Sequence, residues 1–329
     1  MSTDAHRPYQ DLLPDLVLDC VEQCGYVTDG RLLELNSYEN RVWQVGIEDA
    51  EPLVVKFYRA GRWSDAAIAE EHAYTTELAA AGIPVVAPLQ IGGETLIHAH
   101  SQRLALFPRR GGHAPELNDK AVLTHLGRVL GQWHNIGALR SFHHRGAVDV
   151  QSYGHAAVTL LQRDGWIPPH LQENFAAIST ELLQLIETVW QRAGAVQNIR
   201  LHADCHPGNI LWRDEHVHFV DLDDCRMGPA LQDLWMLLSG EREEMQQQLH
   251  EVLEGYTVFR DFDAAELNLL EPLRSLRMLH FHAWLAQRWE DPAFPRAFPW
   301  FDQPRHWEDL LNQLREQIWL LQEAPLQLY

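Results

Sequence analysis

The sequence predicts an α+β chain in two lobes, a small β-rich one with one main helix and a larger helical one. Three observations carry that expectation. Six short β-like runs fall within the first third of the 329 residues. From Leu117 onward, most segments space their apolar residues at helical period. Between the two regions lies Phe107-Pro108-Arg109-Arg110-Gly111-Gly112, which breaks both patterns. Strands and helices are therefore segregated rather than alternating, which argues against a doubly wound βαβ sheet.

Taken in order, the apolar-periodic Pro14–Cys24 reads as a helix closed by Gly25. Strands are expected at Arg31–Leu35, Val42–Ile47 and Leu53–Tyr58, the last two joined by the turn Glu48-Asp49-Ala50-Glu51. Ser64 suits the N-cap of a helix over Asp65–Ala81, which Gly82 and Pro84 stop. More β structure is expected at Val86–Ile91, Thr95–His98 and Arg103–Phe107, with a turn at Gly92-Gly93. Helices follow at Leu117–Leu139, Pro169–Arg192, Pro229–Ser239, Arg242–Tyr256, Ala264–Arg288 and His306–Glu323. Arg200–Asp224 departs from this pattern, and there Ile210–Trp212 and Val217–Val220 read as a hairpin turning at Asp214-Glu215.

Composition narrows the function. The 46 acidic and 26 basic residues leave a formal charge of −20, which disfavours phosphate backbones and anionic lipid, so neither nucleic acid nor membrane is an expected partner. No apolar run approaches the ~20 residues of a membrane span. The opening MSTDAHRPYQ lacks the charged-then-apolar pattern of a signal peptide, and the expected location is the cytoplasm. Four cysteines (Cys20, Cys24, Cys205, Cys225) are too few for a disulfide scaffold. Every basic residue is arginine except Lys56 and Lys120, which draws attention to those two positions.

The chemistry gathers between residues 202 and 224. In His202-Ala203-Asp204-Cys205-His206-Pro207-Gly208-Asn209, Asp204 and Asn209 precede the first hairpin strand, and Asp221 follows the second. An antiparallel hairpin returns to its starting end, so these three side chains are expected to meet. Asn209 and Asp221 are hard-oxygen ligands suited to Mg²⁺, which takes few protein ligands and adds substrate phosphates. Asp204 would stand beside them to orient or deprotonate a hydroxyl, the arrangement that phosphoryl transfer to an alcohol requires. Asp223 and Asp224 extend the acidic cluster.

His202-x-Asp204-x₄-Asn209 followed by Asp221 resembles the catalytic loop and metal aspartate of the aminoglycoside phosphotransferase branch of the protein-kinase-like superfamily. Ala203 stands where protein kinases have Arg, and Leu222-Asp223 where they have Phe-Gly. More narrowly, LHADCHPGNILWRD, FVDLDDCRMGPALQDLWMLL, LNSYENRVWQV, VVKFYR, the segment Asp291–Trp300 and the ending Leu326-Gln327-Leu328 resemble the bacterial stress response kinase A family. The resemblance runs from about residue 14 to the C-terminus. It implies a two-lobed protein-kinase-like fold, with a nucleotide-binding lobe at 1–107, a hinge at 108–112 and a helical lobe at 113–329. It further implies an ATP- and Mg²⁺-dependent serine/threonine protein kinase of the stress response, acting on protein hydroxyls including its own; the expected state of the chain is a monomer. Asp204 corresponds to the catalytic base, Asn209 and Asp221 to the metal ligands, and Asp221 would also engage the phosphates. His202 is expected to buttress the loop.

On the nucleotide side, Lys56 is a charge within the apolar strand Leu53–Tyr58, where a charge needs a reason. Kinase-like proteins pair such a lysine with a helix glutamate. Glu71 shares a helix face with Ile68, Thr75 and Leu78 and is preferred over Glu70. Asn36-Ser37-Tyr38-Glu39-Asn40-Arg41 replaces the Gly-rich loop of protein kinases, and Ser37 is the family position implicated in ATP contact. The link around Phe107 is expected to offer backbone groups to adenine. Lys120 reads as solvated.

A His₂Cys₂ zinc site from His202, Cys205, His206 and Cys225 matches no familiar spacing. The substantial alternative is a small-molecule kinase for an aminoglycoside, choline or a similar alcohol, which would use the same Asp204, Asn209 and Asp221. A non-catalytic nucleotide sensor would not need all of Lys56, Asp204, Asn209 and Asp221.

Overall fold

The computed structural model describes Tyr9 and residues 11–328; apart from Tyr9, the opening decapeptide lies outside the described residues. The chain forms two compact units. One holds the residues up to Pro115 with Phe142–Arg145 and Pro207–Asp224; the other holds Glu116–Ser141, Gly146–His206 and the chain from Cys225 onward.

The first unit is a five-stranded antiparallel sheet of β1 (Thr28–Leu35), β2 (Arg41–Ile47), β3 (Leu53–Phe57), β4 (Ile97–Ala99) and β5 (Gln102–Pro108), in the order β1-β2-β3-β5-β4. Helix α1 (Pro14–Gln23) begins with Pro at its first position, and Gly25 ends it at φ +93°. Val17, Cys20 and Val21 of α1 bury against Val45, Val55, Phe57, Leu104 and Leu106. Helix α2 (Asp65–Ala80) starts where Ser64 Oγ accepts the Ala67 N–H at 3.2 Å. Its Ile68 packs with Tyr58 and Ala105. The register pairs Val42 with Lys56 and Lys56 with Ala105. Side chains alternate along a strand, so Lys56 faces α2 while Val55 and Phe57 face α1.

The strand expected at Val86–Ile91 is not formed. Pro84 and Pro88 remove ladder donors there, and the segment makes isolated bridges instead, Val85 with Phe219 and Ile91 with Glu94. This ties the hairpin β7 (Ile210–Arg213) and β8 (His216–Phe219) to the same unit: Val86 N–H donates to the Phe219 carbonyl at 3.0 Å, and Phe219 N–H to that of Pro84 at 2.8 Å. Asp214 and Glu215 turn the hairpin at φ +51° and +61°, as a two-residue turn of matching twist requires.

The second unit contains α3 (Lys120–Gly137), α4 (Ala156–Arg163), α5 (Gln172–Ala193), α6 (Leu231–Trp235), α7 (Arg242–Tyr256), α8 (Leu270–Arg288), α9 (Ala293–Ala297) and α10 (Pro304–Leu320). A two-stranded ladder of β6 (Ile199–Leu201) and β9 (Arg226–Gly228) completes it. The helix expected from Ala264 is a 3₁₀ turn to Leu269 and then α8, whose Pro272 lies in the first turn, where no N–H is needed. The helix expected over Pro229–Ser239 shortens to α6. Helix α4 and a π turn at Val150–His155 were not expected. Among the described residues, no helix is long and apolar enough to cross a membrane.

Candidate active site

In the first unit, Lys56 is 6% exposed, and its Nζ stands 2.8 Å from Asp221 Oδ1, 3.3 Å from Asp223 Oδ1 and 4.0 Å from Glu71 Oε1. Burial disfavours the Lys56 charge, but Asp221, Asp223 and Glu71 outweigh it and hold the ammonium well above the usual lysine range. Glu71 therefore faces Lys56, whereas Glu70 accepts the backbone N–H groups of His143 and His144. Burial pushes the Glu71 carboxyl up to about 7 even though Lys56 and Arg145 lie beside it.

Two arginines that sequence reading passed over organise this cluster. Arg145, fully buried, donates to Glu71 Oε2 at 2.8 Å, to the Asp223 carbonyl at 2.7 Å and to the Ala67 carbonyl at 2.8 Å. Arg62 pairs with Asp223 and, at 2.6 Å, with Asp224 Oδ1. Burial opposes the Asp223 charge, but Arg62 and Lys56 overcome it and keep the carboxyl below its usual range. Asp223 and Asp224 are thus engaged by Arg62, and Asp223 also by Lys56. Arginine abundance hid both residues, since nothing in their local sequence marks them.

Asp221 differs. Its side chain is 49% exposed and its backbone sits at φ +58°, in the left-handed region. The Val220 N–H donates to the Asn209 carbonyl at 3.0 Å, which sets Asn209 and Asp221 at the same end of the hairpin. A carboxylate and an amide oxygen so placed fit a hard divalent cation that completes its shell with phosphate and water. The glycine-free loop 36–41 is held by side chains: Arg59 donates to the Glu39 carbonyl at 2.9 Å and the Tyr38 carbonyl at 3.2 Å, and the Arg59 N–H donates to Asn40 Oδ1. Ser37 lies half-buried in this loop. Phe107 pairs with Val54 in the sheet, and its half-buried ring meets the His72 ring edge-on at 6.4 Å.

In the second unit, Asp204 follows Ala203, which is held at φ +66°. Asp233 on α6 fixes this bend, accepting the His202 N–H at 3.0 Å and the Ala203 N–H at 2.8 Å, while His134 Nε2 lies 3.2 Å away. His202 is fully buried, and its Nδ1 accepts the Asp204 N–H at 3.3 Å, the buttressing expected of it. Asp204 Oδ1 is 2.6 Å from Arg277 Nη1 of α8, and Oδ2 is 3.5 Å from His206 Nε2. Burial opposes the Asp204 charge, but the His206 hydrogen bond and the Arg277 guanidinium hold the carboxyl well below its usual range. Asp233 was legible in principle, as the one charge in the largely apolar Pro229–Leu238; Arg277, on a distant helix, was not.

With this geometry in place, the sequence model of the phosphotransferase enzyme family matches residues 31–270. The chain belongs to the phosphotransferase enzyme family. Within it the chain is a member of the stress response kinase A group. Stress response kinase A of Escherichia coli O157:H7 is 42% identical over 97% of both chains. Serine/threonine protein kinase RdoA of Salmonella typhimurium is 41% identical over the same shares. Among solved structures, an amicoumacin kinase in complex with AMP-PNP, Ca²⁺ and its antibiotic is similar at TM-score 0.71 and 17% identity, covering 94% of both chains. A spectinomycin phosphotransferase is similar at TM-score 0.65 and 14% identity, covering 92% of this chain and 98% of its own. The kinase-like fold expected from the sequence is therefore present, and the chain is an ATP-dependent phosphotransferase.

Proposed function

We propose that the chain is a serine/threonine protein kinase of the stress response that uses ATP with Mg²⁺. The observation that carries this reading is the 2.8 Å pair between the buried Lys56 and the exposed Asp221, which joins a phosphate-binding cation to a metal-binding carboxylate. Asn209 and Asp221 would hold the Mg²⁺, which when bound neutralises charge on the phosphates. Lys56, braced by Glu71, takes the phosphate oxygens, and Ser37 and the Phe107 segment contact the nucleotide. The acceptor hydroxyl attacks the γ-phosphorus as the bond to the ADP oxygen breaks; the hydroxyl proton passes to the Asp204 carboxylate and ADP leaves. The name of the Salmonella relative supports a Ser/Thr hydroxyl as acceptor. The reading includes phosphorylation of its own chain, a cytoplasmic location and a monomeric state.

Asp204→Ala should lower turnover by roughly 10²–10⁴-fold while circular dichroism and ATP affinity stay near wild type. Near-wild-type phosphotransfer in that variant removes Asp204 from the chemistry. Labelled ATP offered with protein substrates and with alcohols such as choline decides between this reading and a small-molecule kinase.

A further inference from the structure

The surroundings of Asp204 in the second unit are rich in nitrogen. Arg277 Nη1 lies 2.6 Å from one carboxylate oxygen and His206 Nε2 3.5 Å from the other. One helical turn beyond Arg277, His280 stacks on Tyr153 at 3.9 Å, and the Arg226 guanidinium lies 5.5 Å over that same ring. Asp204 is the ionic partner of Arg277 among the described residues, and the Arg277 side chain is 35% exposed. A carboxylate held by a guanidinium at 2.6 Å is a poor proton acceptor, because the pairing stabilises its ionised form. A base in that state needs the arginine drawn elsewhere, and a guanidinium on a long, partly exposed stem moves readily to a competing oxyanion.

We propose that the acceptor carries an anionic group, a carboxylate or phosphate, close to the hydroxyl that is phosphorylated, and that Arg277 binds this group and thereby frees Asp204. The inference rests on Asp204 being the base. It makes Arg277 the residue that selects acidic acceptors, against the cationic alcohols that the overall charge of −20 would favour. In the transfer, the anion replaces Asp204 as the partner of Arg277, the hydroxyl proton moves to Asp204, and the γ-phosphoryl group passes from ADP oxygen to acceptor oxygen.

The test uses the full-length protein with ATP and Mg²⁺. Serine peptides alike except for Asp/Glu, Gln or Arg beside the serine are compared by kcat/KM, together with glycerol 3-phosphate and choline. Wild type should prefer acidic to basic acceptors by about tenfold or more. Arg277→Gln should erase that preference, Arg277→Lys should keep part of it, and Arg277→Glu should reverse it. Acidic peptides as substrates uphold both readings. Turnover of glycerol 3-phosphate without any peptide keeps the role of Arg277 and removes the protein-kinase reading. Preference for basic peptides keeps the kinase and overturns the inference, and turnover of choline alone overturns both. An equal loss on all acceptors in Arg277→Gln shows that Arg277 only positions Asp204 and selects no acceptor, and that result, like silence of every anionic acceptor, also overturns the inference.

Discussion

Single residues here are decided by what surrounds them more than by their type. Lys56 and Lys120 look alike in the sequence, but one is buried among three carboxylates and the other is exposed, 2.8 Å from Glu254. An exposed pair of the second kind is screened by solvent and contributes little to stability. Glu266 shows the same dependence in a group away from the chemistry. It accepts the Leu231 N–H at 2.7 Å, at the start of α6, and burial pushes its carboxyl up to about 7. Because its folded pKa lies above its unfolded value near 4.5, the native chain holds this proton more tightly. Its contribution is therefore full below about 4.5 and is lost as pH rises toward 7. Glu266→Gln keeps the acceptor oxygen without the titration. Thermal melts should show the variant gaining on wild type between pH 5 and pH 8, by on the order of 1–3 kcal/mol; a difference that does not change with pH would refute the assignment.

Among the elements, the crossing of α3 and α7 is closer than side chains permit. A Cβ on Gly255 would strike the Thr124 carbonyl oxygen, and one on Gly127 the Val252 carbonyl oxygen. Helix propensity alone makes Gly255→Ala stabilising by about 1 kcal/mol. The crossing reverses the sign, and urea unfolding should show a loss of about 1–3 kcal/mol. The loop between β1 and β2 follows a related logic. Protein kinases use glycine there for close approach, whereas here Arg59, Asn40 and Glu39 hold the loop by hydrogen bonds and ion pairs. Element types were largely readable because apolar period is local: Arg242–Tyr256 is the helix expected, and Asp65–Ala80 differs by one residue. Errors fell where proline interrupts a β-like run, at Pro88, and where three-residue strands pair across distance, as in β6 and β9.

For the molecule as a whole, ligand linkage offers the broadest check. If Asn209 and Asp221 bind metal and Lys56 binds phosphate, ATP with Mg²⁺ should stabilise the native chain by about 2.7 kcal/mol at 100 times Kd. Chelation by EDTA, or Asp221→Ala, should remove most of that rise in Tm. A rise that survives both would place the nucleotide elsewhere. The first compact unit is assembled from three stretches far apart in the chain, and its ionic cluster depends on all three: Lys56, Glu71 and Arg62 from one, Arg145 from the second, Asp221 and Asp223 from the third.

The sequence by itself determined the family, the strand-to-helix order and the motif that carries Asp204, Asn209 and Asp221, because these are written in local spacing and in one short hairpin. Only the tertiary structure decided which charges meet. It tied Asp223 and Asp224 to Arg62, set Arg145 on Glu71, bound the loop at Ala203 to Asp233 and brought Arg277 to Asp204. Ion pairs between residues dozens to more than 150 positions apart leave no periodic trace in a chain, since burial and geometry at the contact, not sequence neighbours, set their strength.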